Sequence, residues 1–152
     1  MLFRSNVVTI NSADGLSVYA GGGNDTVTGG KGNDRLAGGK GRDTLTGGLG
    51  ADTFVISGSD LVAADADTFA DFNLAQGDRI EFDGDTGMSF SLDNFELGSG
   101  ANSTSGANLI YSGGSLYWDG DGVGGSSGVL IATIGSRPTF KTKDEYAALF
   151  GG

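Results

Sequence analysis

The chain has no cysteine, no histidine, one proline and only two methionines in 152 residues. Without Cys there is no disulfide and no thiolate metal site. Without His, the commonest transition-metal ligand and the commonest general base are both missing. Basic residues are scarce: nine Lys and Arg stand against nineteen Asp and Glu, a formal net charge of −10. An acid excess of that size argues against electrostatic binding to nucleic acid or anionic lipid. Glutamate is nearly absent too, with only Glu81, Glu96 and Glu145, so the carboxylates are short Asp arms suited to tight loops. No apolar run approaches the length of a membrane-spanning helix. Met1-Leu2-Phe3-Arg4 is not followed by an apolar stretch, so the start is no secretory signal peptide. The chain reads as the C-terminal part of a longer protein.

What is abundant is glycine, 30 residues of it. A flexible linker would scatter them, but here they fall on a lattice. Ala20 to Val55 reads AGGGNDTVT, GGKGNDRLA, GGKGRDTLT, GGLGADTFV, four nine-residue units of the form G-G-x-G-x-D-x-U-x, with U apolar. Asp25, Asp34, Asp43 and Asp52 recur every nine residues, and Val27, Leu36, Leu45 and Phe54 follow each by two. Only Ala20 breaks the pattern, where the first Gly belongs. Nonapeptides of this pattern build calcium-binding parallel β-helices.

Each position has a physical job. Glycine permits positive φ and close backbone approach, so a loop can turn sharply and aim its carbonyls inward. The x-U-x tripeptide is a short strand whose centre points in and whose flanks point out. One unit makes half a coil, and two close a turn. Loops two units apart therefore stack, Asp25 on Asp43 and Asp34 on Asp52. Stacked carboxylates repel one another. Two carboxylates and several loop carbonyls make an oxygen-only shell suited to Ca2+. A glycine-rich array with Asp at turn positions is the bland alternative; four units in strict register outweigh it.

The expected architecture is all-β, a parallel β-roll followed by a β-rich cap. Residues 1–19 read as a leading strand (Val7, Val8, Ile10) and a degenerate first coil, 20–55 as the roll and 56–152 as the cap. Val18, Leu36 and Phe54 should share one sheet, Val27 and Leu45 the other, around a thin core. Asp14 lies in a loop that would stack on that of Asp34, where an Asp-Gly turn is the simpler reading than an extra site. Asn24, Lys31, Asn33, Lys40 and Arg42 fall at solvent positions.

Residues 67–82 read as strand, turn (Ala75–Asp78) and strand. Further apolar segments at 90–97, 108–111, 115–118 and 129–134, separated by Gly and Ser clusters, suggest antiparallel hairpins. Phe72 and Trp118 are the expected anchors of the cap. Gly98–Gly106 is a polar loop with no chemistry in it. Thr142 with Glu145 is a capping-box pattern that predicts a short terminal helix.

The repeats resemble those of the repeats-in-toxin (RTX) family, the haemolysin-type calcium-binding repeats of proteins exported by type I secretion. GADTFVISGSD, DTFADF and GDRIEF are similar to the segment after the last repeat in serralysin-type proteases and alginate-epimerase R modules. LYWDGDGVGGSSGVLIATI and TFKTKDEY look like the closing hairpin and tail of many type I secreted proteins. The resemblance implies a secreted, extracellular, monomeric calcium module with an uncleaved C-terminal export signal read by the type I secretion machinery. By matching residues it implies carboxylate ligands at Asp25, Asp34, Asp43 and Asp52. The loop carbonyls would come from Gly21, Gly23, Gly30, Gly32, Gly39, Gly41, Gly48 and Gly50, and Asp60 and Asp67 would close the last site. Asp71 matches an Asp-Phe pair with a structural role.

Other constellations are weaker. Asp119-Gly-Asp121-Gly resembles half an EF-hand loop, but the twelfth position is Leu130, so it reads as a hairpin loop. Asp83-Gly-Asp85 is weaker still. The chain has no metzincin zinc motif and no cleft-forming acid and base pair, so no enzyme activity is expected. A polysaccharide-contacting or adhesin module is the alternative, with Lys31, Arg35, Lys40 and Arg42 as a small basic patch.

Overall fold

The computed structural model describes residues 4–58, 63–83, 95–97, 109–119, 128–141 and 143–150. The first eight strands alternate between two parallel sheets. β1 (Val7–Thr9), β3 (Thr26–Thr28), β5 (Thr44–Thr46) and β7 (Asp67–Phe69) lie side by side in one. β2 (Ser17–Gly22), β4 (Arg35–Lys40), β6 (Thr53–Ile56) and β8 (Arg79–Phe82) form the other. Each repeat thus makes half a coil of a β-roll. The centres align in register, Val8, Val27, Leu45 and Phe69 in the first sheet. Val18, Leu36, Phe54 and Ile80 align in the second, matching the division expected from the repeat.

In β3 and β5 only the centre of each three-residue strand is fully buried. Val27, Leu36, Leu45 and Phe54 are fully buried. The Thr flanks of Val27 and Leu45 suit an extended backbone through β-branching, and Thr26 and Thr44 are exposed. Gly29 and Gly47 follow directly after β3 and β5. The core widens toward the C-terminal side, where the Phe54 ring lies 4.9 Å from Phe69 and 5.6 Å from Phe72.

The strands at 67–82 were expected as part of the cap. They do not pair with each other. β7 runs parallel to β5 and β8 parallel to β6, with a turn at 74–77 between them. The parallel ladders therefore continue past Val55 to Phe82. The reason is that Asp67-Thr68-Phe69 and Asp78-Arg79-Ile80 each repeat the D-x-U frame, off the nine-residue period.

Beyond β7 the first sheet is extended by β12 (Val129–Ile134), β11 (Ser115–Trp118), β10 (Leu109–Ser112) and β9 (Phe95–Leu97). β12 is parallel to β7 and antiparallel to β11, which is antiparallel to β10. The β10–β11 hairpin turns on Gly113 and Gly114, both at positive φ as a two-residue turn requires. Phe72 is fully buried, whereas Trp118 is only half-buried, because the β11 register shifts between Leu116 and Tyr117. Leu109, Leu116, Ile131 and Ile134 are fully buried in the same core, and Trp118 packs against it. Tyr111 donates its hydroxyl hydrogen to the Pro138 carbonyl (2.6 Å), and Phe140 packs edge-on against Tyr111 and Tyr146.

The expected terminal helix is α1 (Lys143–Ala147), continued by a 3-10 turn at Ala148–Phe150. The Glu145 carboxylate accepts the Lys141 N–H at 2.5 Å. Asp60, Asp85, Asp121, the 98–106 loop and the capping residue Thr142 lie outside the described residues. Among the described residues no helix is long and apolar enough to cross a membrane.

Candidate metal centre

The roll has two edges, each a column of stacked loops. On one edge, Asp43 Oδ1 accepts the Asp25 N–H at 2.6 Å and Asp67 Oδ1 accepts the Asp43 N–H at 2.8 Å. Asn6 begins that column, donating its N–H to Asp25 Oδ1 at 2.6 Å. On the other edge, Leu16 donates to Asp34 Oδ1 (2.9 Å), Asp34 to Asp52 Oδ1 (2.8 Å) and Asp52 to Asp78 Oδ1 (2.9 Å). The stacking of Asp25 on Asp43 and of Asp34 on Asp52 is the pairing expected from the period. Asn6 and Leu16 occupy the Asp position of the first coil without a carboxylate, so both columns of charge begin at the first full repeat.

Each ladder Asp spends one oxygen on the preceding coil. The second oxygen is the informative one. Oδ2 of Asp25, Asp43 and Asp52 is buried with no hydrogen-bond partner. Asp43 and Asp52 are wholly inaccessible to solvent. A buried anionic oxygen without a partner is strongly unfavourable. Burial pushes the Asp43 carboxyl up to about 6, against the N–H donated by Asp25, and the charges of Asp25 and Asp65 add to the shift. Burial likewise pushes Asp52 up to about 6, against the Asp34 N–H, with further pressure from Asp78, Asp34 and Asp71. A hard cation removes this penalty directly. These oxygens, the loop carbonyls and the absence of softer ligands fit Ca2+.

The glycines shape the cradle around those oxygens. At Gly38 and Gly47 a side chain would collide with the carboxylate of Asp43 and Asp52 respectively, so the first Gly of the unit leaves room for the anion. At Gly39, Gly41, Gly48 and Gly50 the backbone is left-handed, which turns the loop back on itself. Asn24 and Asn33, exposed at the fifth loop position, brace consecutive coils by accepting the N–H of Arg42 (3.1 Å) and Ala51 (2.9 Å). One loop differs: Asp34 Oδ2 accepts the N–H of Gly30 from its own loop at 2.7 Å.

Two residues outside the period join the columns. Asp67, expected as a ligand by resemblance, is fully buried beneath Asp43. Asp78 was not anticipated. It is buried beneath Asp52, and its Oδ2 accepts the Asn73 N–H at 2.8 Å. Burial raises its pKa, opposed by the N–H groups of Asp52 and Asn73. Its signal in the sequence was the D-x-U frame of Asp78-Arg79-Ile80 preceded by Gly77, which is left-handed like the loop glycines. Asp71 clamps the fourth repeat, accepting the N–H groups of Gly47 and Gly48, each at 2.8 Å.

Asp14 is exposed in a turn where its N–H meets Ser12 Oγ at 3.0 Å, and its loop stacks on that of Asp34. The basic residues do not form one patch. Lys31 lies beside Gly48 and Leu49, and Lys40 beside Gly23, Asn24 and Asp65. Arg35 is paired with Glu81 at 2.7 Å across the second sheet. Asp119 directly follows β11 and is buried, and β11 pairs antiparallel with β12.

No curated protein matches the chain. Residues 19–54 match the family model of the RTX calcium-binding nonapeptide repeat, in four copies. The match covers the coils whose loops stack Asp25 on Asp43 and Asp34 on Asp52, so this β-roll is made of RTX repeats, which bind Ca2+.

Proposed function

We propose that this chain is a calcium-triggered folding module that forms the C-terminal export and folding region of a larger protein secreted by a type I system. The observation that supports it is the set of partnerless buried oxygens on Asp25, Asp43 and Asp52. Without a cation the roll must hold charge in its interior with only thin strands to offset the penalty. Its carboxylates and the carbonyls of Gly21, Gly23, Gly30, Gly32, Gly39, Gly41, Gly48 and Gly50 would hold the ions between stacked loops, with Asp67 at the end of one column; Asp60 is the second ligand that the resemblance implies for that last site. Calcium supplies charge neutralisation there. Because the sites do not exist in the unfolded chain, binding free energy becomes folding free energy.

Extracellular calcium modules bind with Kd on the order of 10⁻⁴–10⁻³ M. Such a site is empty in a cytosol poor in free calcium and full outside the cell. An unfolded chain threads a narrow channel, and folding on the far side opposes its return. The segment after the repeats supplies the template: Phe69 and Phe72 pack on Phe54, so coils form outward from the C-terminal side.

Circular dichroism of the full chain on calcium titration tests this. A cooperative coil-to-β transition is expected. A chelated protein whose roll amides remain fully protected from hydrogen exchange would sink the reading.

A further inference from the structure

Among the described residues Arg137 is the one non-Gly residue at positive φ, at 47°. It is the fourth residue of the turn that ends β12, and its N–H donates to the Ile134 carbonyl at 3.1 Å. Glycine is the favoured residue at the fourth position of a common turn. Arg137 also precedes Pro138, and a proline favours an extended residue before it. A left-handed arginine is therefore strained here on two counts. Strain of this kind clusters at ligand clamps.

The strained backbone aims a cation. The Arg137 stem crosses Gly114, where a prospective Cβ would meet its Cγ. Arg137 is exposed, its charge reaches the Tyr111 hydroxyl, and among the described residues it makes no ion pair. It lines a groove of about 420 Å³ between the β10–β11 turn and the segment after β12, together with Tyr111, Gly113, Pro138 and Phe140. That volume suits a small organic ligand. Pro138 and Phe140 are half-buried and make an apolar wall, and the Tyr111 hydroxyl is already committed to the Pro138 carbonyl.

The charge of the groove selects among ligands. Its neighbour, which also takes in Phe140, is lined by Lys141 and Glu145, one charge of each sign. Here Arg137 is the one charged side chain among the described residues of the lining. A guanidinium fork matches a carboxylate or a phosphate with two parallel hydrogen bonds. One cation in a chain of net charge −10 balances a monoanion and leaves the second charge of a phosphate facing an acidic surface. We propose that this groove binds a small organic monocarboxylate, with Arg137 holding the carboxylate and Pro138 and Phe140 covering its apolar body. The site lies outside the calcium-binding repeats at 19–54.

Benzoate titrated into the full calcium-loaded chain tests this, read from the amide NMR signals of residues 111–114 and 137–141. Saturable shifts of those signals are expected. Acetate, without the apolar body, and benzyl alcohol, without the charge, should each bind about tenfold more weakly or worse. Arg137→Met keeps the stem without the charge and should lose benzoate binding by a similar factor. Arg137→Gly should lose it too, and because glycine is at ease in this turn its unfolding midpoint in calcium should be no lower than that of the wild type. No saturable shift, acetate or benzyl alcohol bound as tightly as benzoate, or a folded Arg137→Met protein that binds like the wild type each overturns the site. A lower midpoint for Arg137→Gly shows that the strain serves packing on Gly114 and overturns the ligand reading of it. If neither variant folds, the three probes on the wild type decide.

Discussion

Asp43 accepts the backbone N–H of Asp25, 18 residues earlier, with one carboxylate oxygen at 2.6 Å and leaves the other buried and unpaired. One side chain therefore joins two coils and presents an anion to the loop between them. On the proposed reading, folding and metal binding are carried by the same group. Asp14 is exposed in a turn of the degenerate coil, its N–H on Ser12 Oγ.

Asp43→Ala should accordingly weaken calcium binding while Asp14→Ala leaves it unchanged. A hydrogen bond to a charged group contributes about 1.5–3 kcal/mol, so a loss of roughly ten- to a hundredfold in affinity is expected for Asp43→Ala. Calorimetric titration of both variants checks this. Equal losses would show that the loops are paired wrongly.

The metal-free roll should lose stability as pH rises. The Asp43 and Asp52 carboxyls are raised from 3.8 to about 6 in the folded state. Between those values the folded chain binds more protons than the unfolded one, so stability is present below about 4 and lost through about 6. In chelator, circular dichroism should therefore show more β structure at about pH 4.5 than at about pH 7.5. With calcium the dependence inverts, because the ion needs the ionised carboxylates and protons compete with it. A greater β content in chelator at about pH 7.5 than at about pH 4.5 would contradict the assignment of buried, repelling carboxylates.

Gly38→Ala and Gly21→Ala separate space from conformation. Gly21 is left-handed at φ 109° with nothing near a prospective Cβ, so alanine there meets only backbone strain, of about 1–3 kcal/mol. At Gly38 the new methyl would strike the Asp43 carboxylate. Gly38→Ala should therefore displace a ligand oxygen and reduce calcium affinity as well as stability. Gly21→Ala should lower stability with the smaller effect on affinity per unit of stability lost. Paired denaturation and calcium titration of the two variants distinguishes them.

Phe72→Ala tests the template. Its ring is fully buried against Phe54, the centre of the fourth repeat. Truncating such a ring costs about 3–5 kcal/mol. Because folding and binding are coupled, the calcium concentration at the midpoint of the β transition should rise, and deletion of residues 56–152 should abolish the transition. A truncated chain that still folds on calcium addition would show that the repeats nucleate alone.

The period of nine, the alternation of Val27, Leu36, Leu45 and Phe54 between two sheets, and the stacking of Asp25 on Asp43 and Asp34 on Asp52 were all legible in the sequence. They follow from local chemistry repeated: glycine turns, a strand of three, a carboxylate at one fixed offset. The sequence also located the terminal helix and the burial of Phe72. Tertiary structure alone decided where the roll ends. Asp67 and Asp78 lie 15 and 26 residues after Asp52, at spacings no repeat predicts, and only the parallel pairing of β7 with β5 and β8 with β6 brings them under Asp43 and Asp52. Only packing exposed Trp118 in part while burying Leu116, two residues away. Only the fold set Asp71 beside Asp52 at Gly47. The physical reason is the same in each case. A loop of any length closes a coil if its ends meet the ladder, because loop-closure entropy grows slowly with length. The periodic part of the roll is therefore written in spacing, and its aperiodic end is set by contacts between residues far apart in the chain.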